Sequence, residues 1–256
     1  MKLLIDAGNT HISWATHPGR GGKLSERRDF KFNRRKAAEM FSKQWSDLGA
    51  LKEIVVANVA GTEFSELLTQ WSQNTFSLTP NFISAKKRAA GVSCGYLQPE
   101  HLGADRWAAI VGAWQRCHNA LCVVDVGSAL TIDVVDATGK HQGGLIAPGL
   151  KMMRNSLLSK TKNIKDNSAQ GLTGQVPKLL ARDTADAIEL GSLYAIVALI
   201  DRVVADVRVE LGMELHNFIT GGEGATVLPL VHDSFQYQPD LVLNGLYILS
   251  RTRREK

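Results

Sequence analysis

Two short segments place an acidic residue, a glycine and small polar residues directly after an apolar strand. The first reads LLIDAGNTHISW, with Asp6 at the end of the strand, and the second reads VVDVGSAL, with Asp125 in the equivalent place. A carboxylate at the tip of a strand stays near solvent and can hold a cation or a metal-bound phosphate. A tight turn is the structural alternative, and it would use Gly8 and Asn9 because both tolerate positive φ. That alternative does not account for Asp6.

A glycine-rich segment supplies a third candidate for the same kind of site. FITGGEGA, residues 218–225, follows a predicted strand, and its glycines would let the backbone approach a nucleotide ring closely. Taken alone, the segment favours an ordinary connection between a strand and a helix. A cleft lined by both Asp-x-Gly turns would offer N–H groups and hydroxyls to phosphate oxygens, with carboxylates for the neutralising cation. That combination is the plan of actin-like kinases and ATPases.

The segment GYLQPEHLGADRW, residues 95–107, places Asp105 beside Arg106 where irregular chain enters a predicted helix. An aspartate can accept the proton of a substrate hydroxyl, and an adjacent arginine can hold a substrate carboxylate with two hydrogen bonds. The pair therefore suits phosphoryl transfer to an acidic alcohol. Capping of the helix by Asp105 is the structural alternative, but it leaves Arg106 and the preceding Tyr96 unexplained.

Apolar periodicity predicts an α/β chain built from a repeated unit. Strands are predicted at 2–6, 12–16, 26–32, 54–58, 121–125, 130–135, 143–147 and 216–220, and helices at 34–48, 63–74, 102–117, 149–158, 181–211 and 241–250. The stretch 79–99 is predicted to be irregular. The first three strands should form an antiparallel meander, and their plan recurs after residue 120, which indicates duplication. We predict two domains, 1–118 and 119–256, each a mixed sheet with flanking helices, with a cleft between the halves.

The composition is that of a globular protein, since 44% of the 256 residues are hydrophobic and 21% are charged. No apolar run reaches the roughly 18 residues that span a bilayer, and no cleavable leader is seen, so a cytoplasmic protein without membrane contact is predicted. The net charge of +5 is compatible with attraction to nucleic acid, with an anionic substrate such as a nucleotide, or with solubility alone, and solvated surface is the favoured interpretation of the basic clusters. Nucleic-acid binding is not expected, because the basic clusters lack interleaved aromatic residues.

Several other residue types are assigned packing or surface roles. Cys94, Cys117 and Cys122 have no metal-ligand spacing and are predicted to be reduced. The seven histidines show no ligand spacing, which favours surface or core positions, and the five tryptophans are predicted to pack in the core. Glu223 and Asp136 are interpreted as solvated loop residues.

Taken together, these motifs resemble those of the type III pantothenate kinases, relatives of Bvg accessory factor, over nearly the whole chain. The combination is specific, although no single motif is. In chain order the matching segments are 6–10, Tyr96, 103–106, 125–129 with Thr131, 143–144, 148–149, 183–184 before Gly191, and 220–222. The resemblance implies a duplicated actin-like (ribonuclease H-like, ASKHA) fold and ATP-dependent phosphorylation of pantothenate to 4'-phosphopantothenate, the first step of coenzyme A biosynthesis.

The resemblance also implies roles for individual residues. Asp105 would be the general base, Asp125 would bind the K⁺ or NH₄⁺ ion that the family requires, and Asp6 would hold Mg²⁺ through the phosphates. The residues implied to bind ATP and its phosphates are Asp6, Ala7, Gly8, Asn9, Thr10, His11, Ile12, Ser13, Ser128, Gly221 and Gly222. Those implied to bind pantothenate are Tyr96, Gly103, Ala104, Asp105, Arg106 and, from the second subunit of a homodimer, Thr184.

The sequence departs from the family pattern in two places and leaves two alternatives open. Ser128 stands where the family usually has threonine, which keeps the hydroxyl, and segment 159–177 lacks the usual Thr-Ala-x-Leu-Pro pattern. One alternative is a regulatory or accessory protein with reduced catalysis on the same fold. The other is a kinase of this fold for another small alcohol or sugar. The joint presence of Asp6, Asp105, Arg106 and Asp125 argues against a purely binding role.

Overall fold

Two five-stranded β-sheets with the same strand order form the framework of the chain. The computed structural model describes residues 1–160 and 180–252. The strands are β1 (Lys2–Ala7), β2 (His11–His17), β3 (Arg28–Lys31), β4 (Glu53–Asn58), β5 (Asn81–Phe82), β6 (Arg88–Ala89), β7 (Val92–Ser93), β8 (Leu121–Val126), β9 (Ala129–Val135), β10 (His141–Pro148), β11 (His216–Thr220) and β12 (Phe235–Tyr237). The helices are α1 (Ala37–Trp45), α2 (Thr62–Phe76), α3 (Ala104–Cys117), α4 (Leu150–Lys160), α5 (Thr184–Leu211), α6 (Gly224–Val227) and α7 (Leu241–Thr252).

The sheet topology confirms the predicted repeat. The first sheet has the order β3-β2-β1-β4-β5, in which β1 pairs antiparallel with β2 and parallel with β4. Strands β2 and β3 are also antiparallel, as the predicted meander requires. The second sheet has the order β10-β9-β8-β11-β12, so that β8 takes the place that β1 has in the first. The segments that end in the two Asp-x-Gly turns are therefore equivalent strands.

The described residues form two compact units, which we treat separately. The first contains Met1–Leu121, Asp133–Gly143 and the described residues from Asp240 onward. The second contains Cys122–Ile132 and the described residues from Gly144 to Pro239. The predicted division of the repeat between residues 118 and 119, and the predicted cleft between the halves, stay predictions.

Aromatic side chains fill the core of the first unit between its sheet and helices α1 and α2. Phe41 stacks on Trp45 with ring centroids 5.2 Å apart and meets Phe64 edge to face at 5.8 Å. Removing such rings from water is a large stabilising contribution. The predicted packing role of the tryptophans is confirmed, because all five are at most 6% exposed.

The first unit also brings two helices into backbone contact through glycines. A Cβ atom at Gly245 of α7 would lie only 1.8 Å from the Ala108 carbonyl oxygen of α3, and one at Gly112 would lie 2.5 Å from the Leu241 carbonyl oxygen. Only glycine allows two helices to approach this closely. Helix α3, which begins at Ala104, is therefore held against α7 along much of its length.

The sequence prediction differs from the structure where elements are short. Segment 79–99, predicted to be irregular, contains β5, β6 and β7, each of two residues. Helix α6 and strand β12 were not predicted, because four and three residues carry too little periodicity. Helix α1 starts at Ala37 because residues 34–36 form a 3₁₀ turn after Asn33, whose side chain accepts a hydrogen bond from the Arg35 N–H.

Two further sequence predictions concern membranes and thiols. Within residues 1–160 and 180–252, none of the helices has the length and apolar character needed to cross a bilayer. Cys94, Cys117 and Cys122 are free thiols, with Cys122 buried and the other two partly buried, as the prediction of reduced packing residues requires.

Candidate active site

The first Asp-x-Gly turn joins β1 to β2. Asp6 is the penultimate residue of β1, half-buried, and is aligned with Ser13 of β2 and Ala57 of β4. The Gly8 N–H donates to the His11 carbonyl oxygen at 3.1 Å and closes the turn. Gly8 and Asn9 tolerate positive φ, but neither residue adopts it. A Cβ atom at Gly8 would lie 3.1 Å from the His11 carbonyl oxygen, so this close approach favours glycine there.

The predicted phosphate-binding residues around this turn differ in their freedom to bind a ligand. Asn9, Thr10 and His11 are exposed at the tip, whereas Ala7 and Ile12 are buried in the strands. The Ser13 hydroxyl donates to Asp29 Oδ1 at 2.5 Å, and Arg27 also donates to that oxygen. Contact of Ser13 with phosphate would therefore have to compete with Asp29.

The start of α3 places the predicted base. Gly103 is the N-cap residue and makes no side-chain capping bond, and Asp105 lies inside the first turn. Asp105 is therefore not the N-cap residue, although it supplies a carboxylate to the first turn. Its Oδ1 accepts a hydrogen bond from the Arg106 N–H at 2.7 Å. A Cβ atom at Gly103 would lie 2.6 Å from the same oxygen, so glycine leaves room for the carboxylate.

Burial raises the pKa of the Asp105 carboxyl above its ordinary value, and the hydrogen bond from the Arg106 backbone offsets part of that rise. The nearby Asp133 carboxylate raises this pKa further by a smaller amount. A carboxylate is a better proton acceptor when its pKa is raised toward the working pH. The position and environment of Asp105 thus suit a general base.

Arg106 is committed to partners inside the first unit. Its Nε donates to Asp133 Oδ2 at 2.9 Å and its Nη2 to Asp133 Oδ1 at 2.7 Å, a two-point pair of buried groups. Its Nη1 donates to the Tyr96 hydroxyl at 2.9 Å, and its guanidinium lies 5.6 Å from the Tyr96 ring centroid. The bidentate contact predicted with a substrate carboxylate is made with Asp133 instead. A substrate contact by Arg106 would use its remaining N–H groups.

Asp133 and His141 were missed by sequence reasoning as members of this group. His141 is fully buried, and its Nε2 lies 3.0 Å from Asp133 Oδ1. Its ring stacks on Tyr96 with centroids 5.9 Å apart. The available signal was Asp133 itself, since a charged residue within the apolar strand 130–135 must find a buried partner.

In the second unit, glycines bring neighbouring turns close to Asp125 and to the Gly127–Ser128 segment that follows it. Asp125 is the penultimate residue of β8, as Asp6 is of β1. A Cβ atom at Gly221 would lie 2.4 Å from both Asp125 Oδ1 and the Val126 carbonyl oxygen, and Gly221 has φ +90°. A Cβ atom at Gly149 would lie 2.2 Å from the Gly127 carbonyl oxygen. Within the second unit, the turn at Asp125 and the glycine-rich turn at Gly221, both selected by sequence analysis, therefore lie against each other.

Other predicted residues of the second unit lie at its surface. Ser128 is exposed, and its carbonyl oxygen accepts the Gly149 N–H at 3.1 Å. Thr184 is the exposed first residue of α5, after Asp183, whose side chain caps the helix by accepting the Asp186 N–H at 3.0 Å. Glu223, interpreted as solvated, pairs with Lys151 at 2.6 Å. From residue 161 onward, the divergent segment 159–177 lies outside the described residues.

Comparison with known proteins decides the family. The family model for type III pantothenate kinase matches residues 2–206. The type III pantothenate kinase of Nitrosococcus oceani is 40% identical over 264 residues, covering 100% of this chain and 97% of that protein. The chain belongs to the type III pantothenate kinase family. The resemblance stated from the motifs is thereby confirmed, and the chain is a kinase.

Solved structures place this pantothenate kinase family member in a wider fold group. A Sinorhizobium meliloti protein assigned as a 2-dehydro-3-deoxygalactonokinase superposes with a TM-score of 0.60 at 12% identity, covering 100% of both chains. A Campylobacter jejuni protein described as a Baf family transcriptional activator gives 0.59 at 20% identity, covering 99% of this chain and 100% of that chain. At these identities the likeness concerns the fold alone. The predicted α/β, actin-like fold class is confirmed.

Proposed function

We propose that this chain transfers the γ-phosphoryl group of ATP to the primary hydroxyl of pantothenate, giving 4'-phosphopantothenate for coenzyme A synthesis, with Asp105 as the general base. The observation that carries the assignment of the base is the half-buried Asp105 carboxylate, whose pKa is raised and whose position is fixed by Arg106. The pantothenate site would be completed by Tyr96, Gly103 and Ala104. Phosphoryl transfer depends mainly on positioning and charge neutralisation, so a fixed base and fixed neighbours supply what the reaction needs.

The nucleotide would be bound by the two Asp-x-Gly turns and the glycine-rich turn after β11. Asp6 supplies a carboxylate at a strand tip, an oxygen donor of the kind that Mg²⁺ accepts. Exposed Asn9, Thr10 and Ser128 and the backbone of Gly221–Gly222 offer polar groups to the phosphates and the nucleoside. Bound Mg²⁺ would neutralise charge on the transferred phosphoryl group.

The Asp125 carboxylate and the Val126 carbonyl oxygen lie close together beside Gly221, where the absence of a side chain lets the backbone approach both. Carboxylate and carbonyl oxygens are the donors preferred by hard cations such as K⁺. We therefore assign Asp125 as the ligand that would hold K⁺ or NH₄⁺, with Gly221 allowing this close approach.

The reaction is tested by incubating purified protein with ATP, Mg²⁺ and pantothenate, in potassium salt and in sodium salt alone. We expect phosphopantothenate in potassium and at least tenfold less in sodium, because the site at Asp125 needs the larger ion. Product in neither salt would contradict the function and favour the accessory-protein alternative. A small alcohol or sugar phosphorylated in preference to pantothenate would favour the other kinase alternative.

We further propose that the protein works as a homodimer in which Thr184 completes the pantothenate site of the other protomer. Large apolar side chains of β10, α4 and α5 in the second unit stay exposed, as expected of a surface that associates. They are Leu145 (48%), Ile146 (66%), Met152 (49%), Leu157 (48%) and Tyr194 (47%). Thr184 begins α5, the helix that carries Tyr194, and its side chain is exposed.

Mixed dimers test the shared site. Asp105→Asn and Thr184→Arg proteins should each be nearly inactive, the second because a long cation blocks the substrate. If each site takes Asp105 from one protomer and Thr184 from the other, equal mixing with subunit exchange should restore about a quarter of wild-type activity. Kinase activity before and after exchange is the measurement. No recovery, despite exchange shown by mass spectrometry, would place Thr184 outside the partner's site.

A further inference from the structure

Two buried ionisable side chains, those of Asp133 and His141, contact the candidate pantothenate residues and have no role in the proposed reaction. Asp133 is 2% exposed and His141 is 0% exposed. Neither side chain can reach a substrate from that depth. Buried ionisable groups are costly unless they are paired, so their retention inside the first unit calls for an explanation.

Asp133 determines where the Arg106 side chain lies. Arginine has five N–H donors in a planar arrangement, and Asp133 takes two of them with the parallel geometry that fixes the guanidinium in its plane. The third donation of Arg106 goes to the Tyr96 hydroxyl. The orientation of Tyr96 therefore depends on that of Arg106, which depends on Asp133.

His141 contacts both Asp133 and Tyr96. Its Nδ1 faces the Gly95 N–H at 3.5 Å, and its Nε2 lies 3.0 Å from Asp133 Oδ1. The backbone N–H can only donate, so this arrangement favours the neutral tautomer that carries its proton on Nε2 and donates to Asp133. The imidazole also stacks on Tyr96, with the two ring planes 15° apart.

Gly95 allows the segment before Tyr96 to lie directly on β10. A Cβ atom at Gly95 would be 1.9 Å from the His141 carbonyl oxygen, so no other residue fits without a backbone shift. The loop that carries Tyr96 is thus held by its backbone at Gly95 and by its side chain through Arg106 and His141.

We propose that Asp133 and His141 are positioning residues for the kinase reaction, which together hold Tyr96 and Arg106 in the orientation that binds pantothenate. The inference rests on the proposed function, in which Tyr96 and Arg106 border that substrate. The base is held separately, because the backbone N–H of Arg106 in α3 donates to Asp105, so kcat should change less than KM. Misplacement by about 1 Å can cost roughly 100-fold in rate, so a supporting group of this kind matters although it touches no substrate.

The test compares His141→Leu, His141→Gln and Asp133→Asn with wild type in steady-state assays. Glutamine can place an amide donor near the position of Nε2, whereas leucine fills the space without donating. We expect His141→Leu and Asp133→Asn to raise the KM for pantothenate at least tenfold, with a smaller change in kcat and an unchanged KM for ATP. His141→Gln should restore the KM to within about threefold of wild type.

Ser72→Ala is the matched control for loss of a buried hydrogen bond elsewhere in the first unit. The Ser72 hydroxyl is buried and lies within donating distance of two backbone carbonyl oxygens, that of Thr69 at 3.1 Å and that of Leu78 at 3.0 Å. This variant should lower the unfolding temperature without changing the KM for pantothenate. If His141→Leu behaves in the same way, the network is only structural and the inference is wrong.

A second readout does not depend on activity. Nitrogen NMR of the wild-type protein should show His141 protonated on Nε2 and unprotonated on Nδ1 at pH 7, and the reverse tautomer would overturn the proposed support. Absence of phosphopantothenate with the wild-type protein would instead defeat the proposed function and this inference together. An active wild type with unaffected variants would defeat the inference alone.

Discussion

Replacing Asp105 with asparagine is expected to lower kcat by about 10²- to 10⁴-fold while the protein stays folded. The amide cannot accept the substrate proton, but its oxygen can still accept the hydrogen bond that the Arg106 N–H gives to Asp105. The variant should therefore lose the proton acceptor and keep the local structure at the start of α3. Rapid-quench or steady-state measurement of phosphopantothenate gives the rate, and near-normal turnover would remove Asp105 from the role of base.

The same substitution should increase stability near neutral pH. Burial raises the pKa of Asp105 above the 3.8 of an unperturbed carboxyl, so the folded protein holds this proton to higher pH than the unfolded chain. The contribution of Asp105 to the free energy of unfolding therefore falls as pH rises from 3.8 through the raised value. Asparagine does not ionise, so the Asp105→Asn variant does not lose stability in this way. The kinase activity of the wild type should fall when the pH is lowered through the same range, because the base becomes protonated.

Thermal unfolding at pH 7 measures this effect. Asp105→Asn should melt at a higher temperature than wild type. Asp206→Asn, which changes an exposed carboxylate of α5 paired with Arg202, should differ little from wild type. A lower unfolding temperature for Asp105→Asn would mean that the buried carboxylate contributes bonds that outweigh its desolvation.

The second large effect is expected for Gly221→Ala, with about a 100-fold loss of kcat/KM. An alanine Cβ would stand 2.4 Å from the Asp125 carboxylate and from the Val126 carbonyl oxygen, at a residue whose φ of +90° disfavours any side chain. Strain and displacement of this size cost on the order of 2–4 kcal/mol. Because the displaced oxygens are those assigned to the cation, the potassium concentration for half-maximal activity should rise.

Gly49→Ala, in the loop between α1 and β4, provides the control for this substitution. Among the described residues, its Cβ would meet no heavy atom within 4 Å, and Gly49 has no positive φ. We expect kcat/KM within about threefold of wild type, because an open position outside the proposed site imposes neither strain nor displacement. Equal losses for the two variants would show that the effect of Gly221→Ala does not come from the contacts beside Asp125.

The repeat and its two strand-end carboxylates were predictable, because they depend on local patterns. An apolar run ending in Asp-x-Gly occurs twice, and pairing of β1 or β8 with the returning strand follows from the short turn that joins them. The helix that carries Asp105 was predicted for a similar reason, since its apolar face recurs at helical spacing. Those features require no knowledge of distant contacts.

The partners of Arg106 could not be predicted, because they come from strands far along the chain. Nothing in the segment GADRW indicates that Asp133 of β9 will accept the hydrogen bonds from Nε and Nη2 of Arg106. A substrate carboxylate was therefore the simpler expectation for the partner of Arg106. The tolerance of Gly8 and Asn9 for positive φ, on which the turn alternative rested, is not used in the structure. Asparagine and glycine permit left-handed angles without requiring them, and the geometry of the β1–β2 connection decides.

The backbone contact between Gly245 and Ala108 has a consequence for synthesis on the ribosome. The residues that build the second unit are translated between these two helices, so α3 must wait for α7 before the face that α7 covers is buried. Until then the nascent chain presents an apolar helix surface of the kind that chaperones recognise. Maturation of the unit that holds the proposed base is thereby postponed until α7 has been translated.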